Sequence, residues 1–373
     1  MTASSMAENA SLPSRGGFGV ASAALVAWIV LLAILSAGAG AVLLFGNPHA
    51  ADPVVTLNLE PAQLQPTLHR LPPPPLPAQP KAPLPRATAT SLPPKIVPSV
   101  IDRPVYADHA LIADPALLES SAQGPLPRIA DDGRTPMQAY APVVETQNRI
   151  PIAVVIGGLG ISAKATASAL AQLPAGVTLS FAPYSDDAQR WVSEARRLGH
   201  EVLLEVPMEP YDFPDSDPGQ ETLRAGGNEM ANIQRLVWAM TRFTGYAGIT
   251  NLLGGRFMSD PESLSPVMTF AARRGLLFFD NGSTARSAAP DVARSLSAPF
   301  VQSSVTLDNI QTAMEIDARL SELETRARSA GQAAGVGFVY PVTVERVAQW
   351  TKGLGERGFV LVPASALVSG QKH

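Results

Sequence analysis

From residue 151 onward, short apolar runs alternate with stretches in which apolar residues recur every three or four positions. The runs predict strands at Ile152–Ile156, Val177–Phe181, Glu201–Val206, Ala247–Asn251, Leu276–Asp280, Phe300–Val305, Gly335–Val339 and Phe359–Val362. The periodic stretches predict helices at Ala163–Leu173, Asp186–Leu198, Met230–Phe243, Pro261–Arg274, Pro290–Leu296, Ile310–Ala330 and Val344–Arg357. Gly199, Gly275 and Gly358 read as helix stops. This repetition of strand and helix implies a parallel sheet, either an open doubly wound sheet or a closed barrel. In both, chemistry belongs where strands end and loops begin.

Before residue 151 the pattern changes twice. Phe18–Phe45 reads FGVASAALVAWIVLLAILSAGAGAVLLF, with no charge between Gly16 and Pro48. That exceeds the roughly 20 apolar residues needed to span a bilayer. Ser36–Ala41 offers small residues where a signal peptide would be cut, but Val42-Leu43-Leu44-Phe45 prolongs the apolar run beyond it, which favours an uncleaved anchor. Arg15 precedes the span and the next basic residue is Arg70. That bias puts the N-terminus in the cytoplasm and the remainder outside. Residues 46–150 hold about 21 of the 35 prolines, well above the usual share of about 5%. The run from Pro72 to Pro85 reads as extended polyproline II, a semi-rigid spacer. A PxxP docking ligand is the sharper alternative. Short runs such as Leu111-Ile112 and Ala116-Leu117-Leu118 are candidates to dock on the domain. The chain thus divides into a cytoplasmic tail 1–17, a transmembrane anchor 18–45, a disordered linker 46–150 and a folded domain 151–373.

Composition removes several function classes. The net charge of -4 gives no basic footprint for nucleic acid. The absence of Cys excludes disulfides, thiolate metal sites and a cysteine nucleophile. Gly158 to Ala163 fits G-x-G-x-x-A after a strand, the dinucleotide fingerprint. The second strand, however, ends Ser180-Phe181-Ala182-Pro183, without the acid that holds a ribose hydroxyl.

The strand ends carry the remaining candidates. In a barrel Glu205, Glu209, Asn251, Arg256, Asp280 and Asp308 would converge on one cleft. Glu209, set between Met208 and Pro210, is an odd place for a solvated charge and is the candidate working carboxylate, with Asp280 beside it. Each has a blander reading. Arg256 can pair with Asp280 at the rim, Asp280 can cap the helix near Pro290, and Asp308 can cap the helix beginning at Ile310. Asn251 and Gly254-Gly255 suggest a tight turn with exposed amides.

The strings VVIGGLG, EVLLEVPMEP, TNLLGGRF, FFDNGST, TLDNI, GFVYP and FVLVPASAL, in this order over about residues 150–367, resemble the divergent polysaccharide deacetylase family. This is a branch of the NodB-type carbohydrate esterases, and the resemblance implies an α/β fold with a distorted (β/α)7 barrel. It also implies a divalent metal held by one Asp and two His, with a neighbouring Asp as general base. Here the paired Asp positions are Gly157 and Gly158, the His beside Asn251 is replaced by Leu252, and the seventh-strand His by Phe338. Glu205 stands where the third-strand motif often has His. Glu205, Asn251, Gly254, Arg256, Asp308 and Tyr340 remain as candidate ligand-binding residues.

The histidines agree with this degeneracy. They are His49, His69, His109, His200 and His373, and His200 precedes the third strand at the end away from the mouth. A two-His metal site cannot be assembled there. The expectation is a membrane-anchored pseudoenzyme without a cofactor, single-pass in a bacterial inner membrane. Its C-terminal domain would face the periplasm and bind an envelope glycan or peptidoglycan-related ligand. Three alternatives stand beside it: a working glycan deacetylase using carboxylates, a divalent cation such as Mg²⁺ or Ca²⁺ held by Glu205, Glu209, Asp280 and Asp308, and a structural partner in an envelope complex, reached through the linker.

Overall fold

The computed structural model describes residues 113–368. The tail 1–17, the anchor 18–45 and the linker as far as residue 112 lie outside the described residues. Among the described residues, no helix is long and apolar enough to cross a membrane.

The domain is an α/β unit built on a curled parallel sheet. Its strands are β3 (Ile150–Leu159), β4 (Thr178–Phe181), β5 (Val202–Met208), β6 (Gly248–Leu253), β7 (Leu277–Asp280), β8 (Phe300–Gln302), β9 (Val305–Thr306), β10 (Ala333–Phe338) and β11 (Phe359–Leu361). They follow the order β8-β7-β6-β5-β4-β3-β10-β9, with β11 added to the start of β3. The two ends of this path, β8 and β9, are nearly consecutive in the chain. Between them Ser303 N–H donates to Asp280 O at 2.8 Å and Ser304 N–H to Ala334 O at 2.8 Å. One kinked segment therefore joins both edges and curls the sheet towards closure.

Helices α2 (Ala163–Gln172), α3 (Ala188–Arg197), α4 (Glu229–Met240), α5 (Gly255–Met258), α6 (Pro261–Arg273), α7 (Ala289–Leu296), α8 (Ala313–Ala330) and α9 (Pro341–Thr351) complete the crossovers. Their starts carry the expected chemistry. Ser162, Asn228 and Thr312 side chains accept amides in the first turns of α2, α4 and α8, and Pro261 and Pro341 occupy the first position of α6 and α9. The strands and helices expected beyond residue 151 are present with boundaries moved by a few residues, except that the expected strand Phe300–Val305 breaks into β8 and β9, which pair with β7 and β10 on opposite edges.

Strand alternation separates two cores. On β3, Ile152, Val154 and Ile156 point outward into the layer shared with the helices. Ala153 and Val155 point inward, where they meet Leu203, Leu277, Phe279, Val301, Ala334 and Val336. At the strand N-termini this inner core is closed by Val362, Ala364 and Leu367. There Glu201 accepts the Thr178 hydroxyl at 3.0 Å and the Ser365 amide at 3.2 Å.

Residues 113–150, read from sequence as linker, carry regular structure. They form a 3-10 turn (Pro115–Leu117), the hairpin β1 (Leu118–Ser121) and β2 (Gly124–Pro127), and helix α1 (Pro136–Tyr140) with a Thr135/Gln138 capping box. Leu117, Leu126, Met137 and Tyr140 are buried. Met137 reaches the inner core, Arg196 stacks on the Tyr140 ring at 4.5 Å, and Arg274 bonds Glu119 at 2.6 Å and Pro127 O at 2.8 Å. The run Ala116-Leu117-Leu118 does dock, as expected. The rest of the arm is invisible to periodicity because its apolar residues are single: Ala113, Leu117, Ala130 and Tyr140 cluster across separate elements around Ala247, and Met137 joins the inner core.

Candidate functional site

The inward alternation of β5 puts Leu203 in the inner core and Glu205 one layer higher. Glu205 is almost wholly buried. Its Oε1 accepts the Gly158 N–H at 2.7 Å and the Ser180 hydroxyl at 2.8 Å. Its Oε2 has no partner, and neither has the buried Thr250 hydroxyl, which stands opposite Glu205 in the β5–β6 register. Burial pushes the carboxyl up to about 7, against the pull of the Gly158 amide and the Ser180 hydroxyl.

The absence of a side chain at 157 is what admits this carboxyl. A Cβ on Gly157 would lie 2.7 Å from Glu205 Oε1 and 3.0 Å from Ser180 Oγ. The space that a first-strand side chain would enter is therefore filled from β5. Gly157, Ser180, Glu205, Thr250, Asn251, Leu252, Asn281 and Phe338 surround a cavity of about 10 Å³, room for one water at most.

Asn251 is saturated. Its Nδ2 donates to Leu253 O at 2.7 Å, Asn281 Oδ1 at 2.7 Å and Ser283 Oγ at 3.0 Å, while its Oδ1 accepts the Asn281 amide at 3.0 Å. The reciprocal pair is completed by Asn281 Nδ2 on Asn251 O at 2.7 Å. The tight turn expected here exists: Leu253 and Gly254 both have positive φ, and a Cβ on Gly254 would lie 2.8 Å from Met208 Cβ.

The expected single cleft does not form from all six candidates. Glu205 and Asn251 line the cavity, together with the altered positions Gly157, Leu252 and Phe338. Glu209 and Arg256 form their own pair at 2.8 Å, and Glu209 Oε2 accepts the Ala225 amide at 2.9 Å. The Glu209 carbonyl also accepts the Arg256 and Phe257 amides. This residue ties the end of β5 to α5 and to the 223–225 loop. Arg256 thus pairs with Glu209, not with Asp280, because α5 follows directly on the Gly254 turn and presents its first residues to the end of β5.

The capping readings also change. The N-cap of α8 is Thr312, four residues beyond Asp308. Asp308 Oδ2 instead accepts the Phe338 amide at 2.6 Å and the Thr343 hydroxyl at 2.8 Å, binding the β9 exit to β10 and α9, and burial raises its pKa. Helix α7 has no side-chain cap. Asp280 is fully buried and accepts the Gly282 amide and the Gln302 side chain, both at 2.9 Å. Tyr340 is the N-cap residue of α9, exposed, with its ring 6.1 Å from that of Phe338. His200 is buried at the far end, its Nδ1 2.9 Å from Val177 O.

Among the described residues, no three of His, Cys, Asp and Glu stand close enough together to hold a metal. The four carboxylates considered for a hard cation are each engaged by different elements. Sequence reasoning missed Ser180, Thr250, Asn281 and Gln302. The available signal was polarity in strands otherwise apolar, as in TLSF and GITN.

Around the mouth the surface changes character. Ile161, Tyr184, Tyr211, Leu253, Ile310 and Tyr340 are exposed on the segments that follow β3, β4, β5, β6, β9 and β10. The Tyr211 hydroxyl lies 2.6 Å from Ser259 Oγ and 3.4 Å from Thr284 Oγ1, and these bonds lower its pKa. Its ring covers Gly255, where a Cβ would come within 3.0 Å.

A curled parallel sheet with an altered polar centre at its strand C-termini is what the sequence strings led us to expect of a deacetylase relative. The chain belongs to the divergent polysaccharide deacetylase family, whose model matches residues 154–368. It is 27% identical over 221 residues to the uncharacterized protein YibQ of Escherichia coli, covering 58% of this chain and 67% of that one. An uncharacterized protein of Haemophilus influenzae is 23% identical over 193 residues, 52% of this chain and 68% of its own. The crystal structure of the uncharacterized protein ATU2773 from Agrobacterium tumefaciens C58 superposes with a TM-score of 0.65 at 41% identity, covering 66% of this chain and all of that one.

Proposed function

We propose that this domain binds an envelope glycan across the strand C-terminal rim and does not carry out metal-dependent deacetylation. The observation that carries the reading is the Glu205–Gly157 substitution of space. Where the family resemblance implies a metal, the residues present do not fit one. Among the described residues a single carboxyl and no imidazole line the cavity, and the volume admits one water. Without a bound metal there is neither a Lewis acid nor a water of lowered pKa. The rim supports the binding half of the reading. Tyr184, Tyr211 and Tyr340 offer ring faces beside hydroxyl groups, which suits pyranose rings with an apolar face and a hydroxylated edge. The closed floor favours a chain laid across the mouth over a group inserted into it.

We also read the curled sheet as a distorted (β/α)7 barrel, with the 300–306 segment as its split closing strand. In the same reading residues 18–45 anchor the chain in a bacterial inner membrane and the domain works in the periplasm. Two measurements test these points. Pull-down on peptidoglycan and acetylated oligosaccharides, with and without chelator, should show binding that chelator leaves unchanged and no acetate release. Acetate release that chelator stops would overturn the pseudoenzyme reading. A topology reporter fused after Pro136 should be active outside the cytoplasm, and activity inside would overturn the location.

A further inference from the structure

Glu205 is a carboxyl whose charge meets two neutral donors, the Gly158 amide and the Ser180 hydroxyl, both on Oε1. The groups facing it are Val155 and Gly157 from β3, Ser180 from β4, Thr250 to Leu252 from β6, Asn281 after β7, and Val336 to Phe338 from β10. No Lys, Arg or His is among them. Glu201 and Glu209, four residues to either side in the chain, and Asp280 and Asp308 at other strand ends are of its own sign, and Arg256 beyond β6 is paired with Glu209. Two unpartnered buried oxygens, Glu205 Oε2 and Thr250 Oγ1, belong to residues lining the same one-water cavity. An isolated buried anion is costly unless it is neutralised or reaches water.

We propose that the centre of the curled sheet is a built site for one proton and one water: Glu205 holds the proton and bonds through the water to Thr250. The neutral acid satisfies every group. Oε1 continues to accept from Gly158 and Ser180, the acid hydroxyl on Oε2 donates to the water, and the water bonds the Thr250 hydroxyl. The ionised form keeps the Gly158 and Ser180 donors on Oε1, but its Oε2 would meet only the water and the Thr250 hydroxyl, with no cation to offset the charge. In place of a metal's charge, the site uses a single proton.

The Gly158 amide reports the carboxyl directly, since the two are 2.7 Å apart. In the full chain labelled with ¹⁵N-glycine, its resonance should titrate with a midpoint near neutrality. A flat Gly158 resonance from about pH 5 to about pH 8 overturns the proton site. Glu205→Gln provides the independent arm, because the amide reproduces the bonds of the neutral acid. The wild-type carboxyl lies at about 7 when folded and 4.5 as the reference. Its unfolding constant should therefore rise roughly 300-fold more than the variant's between acid and alkaline conditions. Parallel pH profiles would overturn the proposal. Should the variant not fold, the Gly158 titration decides alone.

Discussion

Replacing Gly157 by Ala tests the filling of the centre most directly. The backbone at 157 is not left-handed, so the added methyl brings no φ penalty, only crowding. It would stand 2.7 Å from Glu205 Oε1 and 3.0 Å from Ser180 Oγ. Ordinary contact requires the carboxyl to withdraw by most of an ångström, away from the Gly158 amide at 2.7 Å and the Ser180 hydroxyl at 2.8 Å. Overpacking of this kind costs about 1–3 kcal/mol. Weakening a buried hydrogen bond adds about 1–2 kcal/mol. Gly157→Ala should therefore destabilise the chain by about 2–5 kcal/mol in urea denaturation with an unchanged slope. In a Glu205→Ala background the closer obstacle is gone, and the Ser180 hydroxyl, released from the carboxyl, can rotate away from the methyl. The same substitution should then cost less than about 0.5 kcal/mol or be mildly favourable, because Ala restricts the unfolded chain more than Gly. The double-mutant cycle should return a coupling of at least about 2 kcal/mol. A cost that is the same in both backgrounds, or that is near zero in the wild type, would show that the Glu205 carboxyl does not occupy the space beside residue 157.

Other outcomes follow from the arm, the rim and the clamp. Deleting residues 113–149 uncovers the sites of Leu117, Leu126, Met137 and Tyr140, each worth about 1.5–3 kcal/mol when fully buried. A fragment starting at 151 should accordingly melt well below one starting at 113, and equal melting temperatures would show that the arm adds nothing. Arg256→Ala leaves Glu209 Oε1 without its partner. Because the Arg256 side chain is 56% exposed and Glu209 is 8% exposed, the loss should be modest, about 1–2 kcal/mol. Glu209→Ala should cost more, since it also abandons the Ala225 amide; the reverse order in denaturant midpoints would refute the clamp. Tyr340→Ala should weaken glycan binding about tenfold with an unchanged melting temperature, and unaltered affinity would remove Tyr340 from the binding rim.

The sequence by itself determined the order and type of the long elements beyond residue 151, because strand alternation and helical periodicity are local properties that survive in a list of residues; the one-turn helix α5 and the break between β8 and β9 are too short to leave a period. It also set the expectation that no two-His metal site forms at the mouth, since counting five histidines and placing them along the chain needs no coordinates. Tertiary structure alone decided who meets whom. Glu205 and Gly157 stand 48 positions apart, and only their neighbouring inward positions in the curled sheet reveal that one fills the room left by the other. Arg256 chose Glu209 over Asp280 because the Gly254 turn sends α5 back towards the end of β5, a direction that no spacing rule supplies. Asp308, which reads as a cap, serves instead as a tie to Phe338 and Thr343 from another strand and helix. Apart from Ala116-Leu117-Leu118, the arm at 113–150 escaped notice for the same reason: its isolated apolar residues meet one another across separate elements, as Leu117 and Tyr140 do, or meet the rest of the chain, as Met137 does, and neither kind of contact leaves a local period.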